Sequence, residues 1–77
     1  MPDTLPIFDE TGMVFGTVVY REEDGRKKIF FRQKDSTLID LSDIHKFTAF
    51  LKKSDIPESE ASRAIRFFNE KMLSFSL

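Results

Sequence analysis

The chain has no Cys, no Trp and a single His, with three Gly and three Pro in 77 residues. Without Cys there is neither a disulfide framework nor a thiolate metal site, and His45 alone excludes the His clusters that hold zinc or copper. No metal and no cofactor is expected, and the fold has to hold by packing. Long apolar runs are absent too. None approaches the roughly 18 residues that cross a bilayer, and Met1-Pro2-Asp3-Thr4 carries no cationic stretch followed by an apolar one. The expectation is a cytoplasmic protein that engages no membrane. Nor does charge of one sign dominate, with 12 Lys plus Arg against 13 Asp plus Glu and a pI near 5.8.

Aromatic side chains are plentiful: nine Phe and one Tyr. A domain this short buries only about 60% of the surface its unfolded chain exposes, so its core must be dense in large side chains to offset the entropy of ordering. A single domain over 1–77 is expected, with no internal repeat and no low-complexity segment.

Residues 1–10, with Pro2, Pro6 and the acids Asp3, Asp9 and Glu10, read as an extended arm in which Leu5, Ile7 and Phe8 add a short edge strand. After a turn at Glu10-Thr11-Gly12, residues 13–21 and 27–33 are rich in β-branched and aromatic side chains. Asp24-Gly25 between them predicts a type I′ hairpin turn, because both central positions need positive φ and these two residues tolerate it best. Residues 37–41 read as a further short strand. Ser42 or Asp40 offers an N-cap to a helix carrying Ile44, Phe47, Phe50 and Leu51, with Lys52 and Lys53 in its last turn. A second helix follows Pro57, and Ala61, Ile65, Phe68, Met72 and Phe75 form its apolar stripe.

This order predicts an α+β fold: an antiparallel sheet of three or four strands built around a β-hairpin, with two C-terminal helices packed on one face. The order is similar to the small single-stranded-DNA-binding coactivator and Whirly-type folds, in which four strands precede a helix. Phe47 stands out of register with the aromatic those folds place after the last strand, and the chain is assigned to no family.

With Asp24-Gly25 at the turn, Arg21 pairs with Lys28, Tyr20 with Ile29, Val19 with Phe30, Val18 with Phe31 and Thr17 with Arg32. One face then carries Val14, Val18, Tyr20, Ile29 and Phe31 and is expected to pack on the helices. The other carries Phe15, Thr17, Val19, Arg21, Lys28, Phe30, Arg32 and Lys34. Like charges directly opposite in a sheet are destabilising, so Arg21 beside Lys28 is a conflict that an anion would relieve. Segment 26–34 has five basic residues and no acid, although the whole chain is balanced.

Lys and Arg neutralise phosphates while exposed Phe rings stack on unpaired bases. Single-stranded nucleic acid is therefore an expected partner, with Arg21, Lys28, Arg32 and Lys34 on phosphates and Phe15 and Phe30 on bases. A plainer reading treats the same charges as protection against edge-to-edge aggregation, with Phe15 and Phe30 covered by the arm or the second helix. A third makes the protein an interaction module, a regulator or inhibitor of a larger protein or a homodimer, in which Phe67, Leu73 and Phe75 supply apolar anchors beyond those one helix face needs, unless Phe67 simply closes the bottom of the sheet.

Groups for bond chemistry are sparse. His45 falls in the first turn of a helix, whose dipole disfavours its protonation, and no nucleophile accompanies it. Glu22-Glu23-Asp24 lacks the spaced oxygen ligands of a calcium loop, and Ser54, Ser59, Ser62, Ser74 and Ser76 have no paired base. A binding protein without catalytic residues is expected.

Overall fold

The computed structural model describes residues 3–73. Asp24 and Gly25 take φ of 53° and 76°, so the turn has the positive angles a type I′ hairpin requires. It joins β2 (Val14–Glu23) to β3 (Arg26–Arg32), paired from Glu23↔Arg26 to Thr17↔Arg32, the register expected from the turn. The arm contributes β1 (Thr4–Phe8) beside β2, and β4 (Leu38–Asp40) lies beside β3. Helices α1 (Ile44–Lys53) and α2 (Glu58–Met72) follow. Among the described residues the sheet is antiparallel in the order β1-β2-β3-β4, which makes the protein α+β.

The core forms where one sheet face meets the two helices. Ile7, Val18, Ile29 and Phe31 come from the strands, Leu41 from the connection, and Phe47, Leu51, Ala64, Phe67 and Phe68 from the helices. Phe31 reaches Phe50 at 4.7 Å between ring centroids, and Phe47 reaches Phe68 at 4.8 Å, spacings at which tilted rings attract. No buried side-chain nitrogen or oxygen among the described residues lacks a partner.

A bulge corrects the expected strand faces. Ile7 pairs with Gly16 but Phe8 pairs with Val14, so Phe15 is an extra residue in β2. Because side chains alternate strictly, one added residue exchanges the faces beyond it. Phe15, expected beside Phe30, instead packs against Phe31 at 5.7 Å on the core side. Val14, expected in the core, is 44% exposed. Gly16 permits this arrangement: a Cβ there would overlap the Phe31 ring and lie 2.9 Å from the Arg32 carbonyl oxygen.

The start of α1 also differs from expectation. Asp43 is the N-cap, its Oδ1 accepting from the backbone N–H of His45 at 2.7 Å. Ser42 is otherwise engaged, its hydroxyl accepting from the Ile29 N–H at 3.0 Å and so extending the β3 ladder past the end of β4. Asp40 in turn accepts from the Ser42 N–H and hydroxyl. Each of the three polar residues has its own orphan donor to satisfy.

Helix α2 buries Ala64, Phe67 and Phe68, with Ala61, Ile65 and Met72 half-buried around them. The stripe is wider than expected because α2 meets both the sheet and α1. Phe67, expected as an interface anchor, is 7% exposed and belongs to the core. Glu60 accepts from the Phe8 N–H at 2.9 Å, so the beginning of α2 is tied to the end of β1. Pro6, which has no N–H, limits strand pairing along the same edge.

If Gly16 is the seat of Phe31, Gly16→Ala overpacks the core and should destabilise the protein by about 1–3 kcal/mol in urea denaturation. An unchanged unfolding midpoint would contradict this packing.

Candidate nucleic-acid interface

The sheet face turned away from the helices carries three cross-strand rows, Thr17 with Arg32, Val19 with Phe30, and Arg21 with Lys28. Alternation puts them there: their neighbours Gly16, Val18, Tyr20, Ile29 and Phe31 point the other way. Val19 is 6% exposed yet stands apart from the core cluster, flanked in register by Thr4 and Phe30. It forms a small apolar floor on the open side. Phe30 is half-buried on that floor, and the Arg21 guanidinium lies 5.6 Å from its ring centroid. An exposed guanidinium over a ring is worth about 0.5–1 kcal/mol and holds both groups in place.

The expected clash of Arg21 with Lys28 is relieved within the chain. Glu23 stands 4.0 Å from Arg21, and Asp40 stands 3.5 Å from Lys28. The Ser42 hydroxyl, then the Ser42 N–H, hold the Asp40 carboxyl below the usual carboxylate range, with the Lys28 charge adding to them. Asp40 therefore stays ionised beside Lys28. Arg32 and Lys34 are exposed and make no ion pair among the described residues. On the face itself the cation without a nearby carboxylate is therefore Arg32, at the C-terminal end of β3, whereas the Lys34 charge adds to the Thr11 hydroxyl in holding the Asp9 carboxyl below the usual carboxylate range.

Of the residues expected at a nucleic-acid site, Arg21, Lys28, Phe30 and Arg32 share the open face. Lys34 lies just past the end of β3 in the following turn, and Phe15 is on the opposite side. Of the expected protein anchors, Phe67 is buried, Leu73 is 60% exposed, and Phe75 lies outside the described residues. His45 is exposed in the first turn of α1. No group of three or more potential metal ligands is found among the described residues, and no helix there is long and apolar enough to cross a membrane.

A second feature had no counterpart in the sequence reading. Between the end of the sheet and the C-terminal end of α1 lies an open cleft of about 720 Å³, lined by Phe15, Phe31 and Phe50 and edged by Lys34 and Lys53. Gly16 within a β-rich run was the available signal, since a strand glycine often marks a bulge or a close approach. No family model, curated protein or solved structure matches this chain.

On the core side of the hairpin, Tyr20 donates its hydroxyl to Glu22 at 2.8 Å, and Lys71 lies 5.5 Å from its ring centroid. Burial first, then the Glu22 hydrogen bond and charge, push the phenol up to about 12. The fold thus favours the neutral phenol. Its contribution to stability is complete below the ordinary value of about 10 and is lost as pH rises through 12. Ultraviolet titration of Tyr20, the chain's one tyrosine, should show a midpoint near 12, and Glu22→Gln should lower it. A wild-type midpoint near 10 would contradict this environment.

Proposed function

We propose that the protein is a non-enzymatic binding domain that takes single-stranded nucleic acid on its open sheet face. Arg32 and Lys34 neutralise phosphates at one end, Arg21 and Lys28 extend the path, and Phe30 stacks on a base. The observation that carries this reading is Phe30 at the centre of the face, with Arg21 over its ring and the unpaired Arg32 one row away.

The physical logic is that of sequence-tolerant strand binding. Cations track a backbone, while an aromatic face accepts any base because every base has a π-surface. Overall acidity does not oppose this, because at 0.15 M salt exposed charges are screened over about 8 Å and the local cluster governs contact. Glu23 and Asp40 hold Arg21 and Lys28 in position when no ligand is bound, and a phosphate then competes with a carboxylate already close by. Arg32 faces no such competition and is the stronger contact. Burial of Phe67 removes one anchor from the alternative docking surface on α2.

The test is fluorescence anisotropy with a labelled, mixed-sequence single-stranded oligonucleotide. Phe30→Ala should weaken binding about fivefold to 150-fold, corresponding to about 1–3 kcal/mol of stacking, while the domain stays folded. Arg32→Ala should weaken binding and reduce the slope of log K against log salt by about 0.7, one single-strand phosphate contact. Wild-type affinity in both variants would overturn the assignment.

A further inference from the structure

We infer that the cleft lined by Phe15, Phe31 and Phe50 receives one unstacked nucleobase from the strand that crosses the open face. The inference rests on the nucleic-acid reading above and adds a second base site to it. Three observations favour a base as occupant. First, the lining is aromatic: Phe31 contacts Phe15 at 5.7 Å and Phe50 at 4.7 Å, and the outer two rings are only half-buried. Partly wet rings in a concave site gain most from a planar partner that covers their faces. The cleft's volume, about 720 Å³, lies within the usual range of small-molecule sites, about 300–1,000 Å³.

Second, the rim has charge to offer a phosphate. Lys34 and Lys53 make no ion pair among the described residues. Two acids border the cleft as well, Asp55 and Asp35, whose carboxyl accepts from the Thr37 N–H at 3.0 Å and is held in its ionised form by that bond, so the rim is balanced in charge and the lysines meet a phosphate as individual contacts. Gln33 adds a side-chain amide with both donors and an acceptor, the combination that reads a base edge.

Third, the cleft continues the proposed path. Arg32 ends β3 on the open face, and Gln33 and Lys34 follow it directly into the rim. A backbone held by Arg32 and then Lys34 passes over the end of the sheet, where its next base meets the Phe15 and Phe50 rings.

The test compares a mixed-sequence single-stranded DNA with an abasic strand of the same length, against wild type, Phe50→Leu, Lys53→Ala and Arg32→Ala. In parallel, nucleoside 5′-monophosphates, inorganic phosphate and N-acetyl-phenylalanine amide are titrated into labelled wild-type protein and followed by NMR. The expected result is that Phe50→Leu, which keeps an apolar side chain of similar size, weakens the normal strand about fivefold to 150-fold. It should leave abasic-strand binding nearly unchanged. Monophosphates should shift the amides of Phe15, Phe50 and Lys53, and inorganic phosphate should leave Phe15 and Phe50 unmoved.

If Phe50→Leu and Lys53→Ala bind like wild type while Arg32→Ala is weakened, the cleft inference is overturned and the open-face reading stands. Should no strand bind while monophosphates still shift the cleft, the open-face reading fails and base recognition by the cleft is supported. Shifts from the phenylalanine amide alone would overturn the inference in favour of a protein side chain as occupant. Silence of all probes would overturn it as well.

Discussion

The ring of Phe31 occupies the space where position 16 would otherwise carry a side chain, and much of the molecule is arranged around that contact. Gly16 admits the ring, and the bulge beside it turns Phe15 to the same side. Phe31 then reaches Phe50 and ties the sheet to α1. A small domain has few such contacts to spare, because its buried fraction is low and every large ring must be covered. The same event gives the two sheet faces their different characters. With Phe15 withdrawn, Phe30 is the aromatic that stands among the cations of β2 and β3 on the open side, and the withdrawn ring becomes a wall of the cleft.

Charge follows a related division. The chain is nearly neutral, yet Arg21 and Lys28 lie opposite one another across β2 and β3, and the conflict is settled by carboxylates at the margins of the face. These pairs are half exposed, where ion pairs contribute little to stability. Their effect is positional. They hold Arg21 and Lys28 against the sheet, while Arg32 stays open to a ligand, so the proposed binding strength is graded along the hairpin toward the cleft.

Much of this was legible from residues. Asp24-Gly25 set the turn, the turn set the register, and the register placed Val18, Ile29 and Phe31 together against Arg21, Phe30 and Arg32 on the other side. Faces beyond the bulge were not legible, because alternation carries no mark of an inserted residue except the glycine that tolerates it. The cap of α1 was missed for a different reason: Asp40, Ser42 and Asp43 are all competent acceptors, and only three dimensions show which donor each one meets. Phe67 had two readings, an anchor for a partner or a closure of the sheet, and its burial follows from α2 packing against two neighbours, which a stripe drawn on one helix face does not show. The cleft depends on all of these at once, since Phe15, Phe31 and Phe50 come from three elements and converge only through the bulge and the placement of α1.

Binding on the open face is tested most directly by an NMR shift map of the labelled protein titrated with a short mixed-sequence single strand at low and moderate salt. Shifts along Thr17, Val19, Arg21, Lys28, Phe30 and Arg32 that fade as salt rises are the expected result. Shifts confined to α2, or no shift on the open face at low salt, would contradict it.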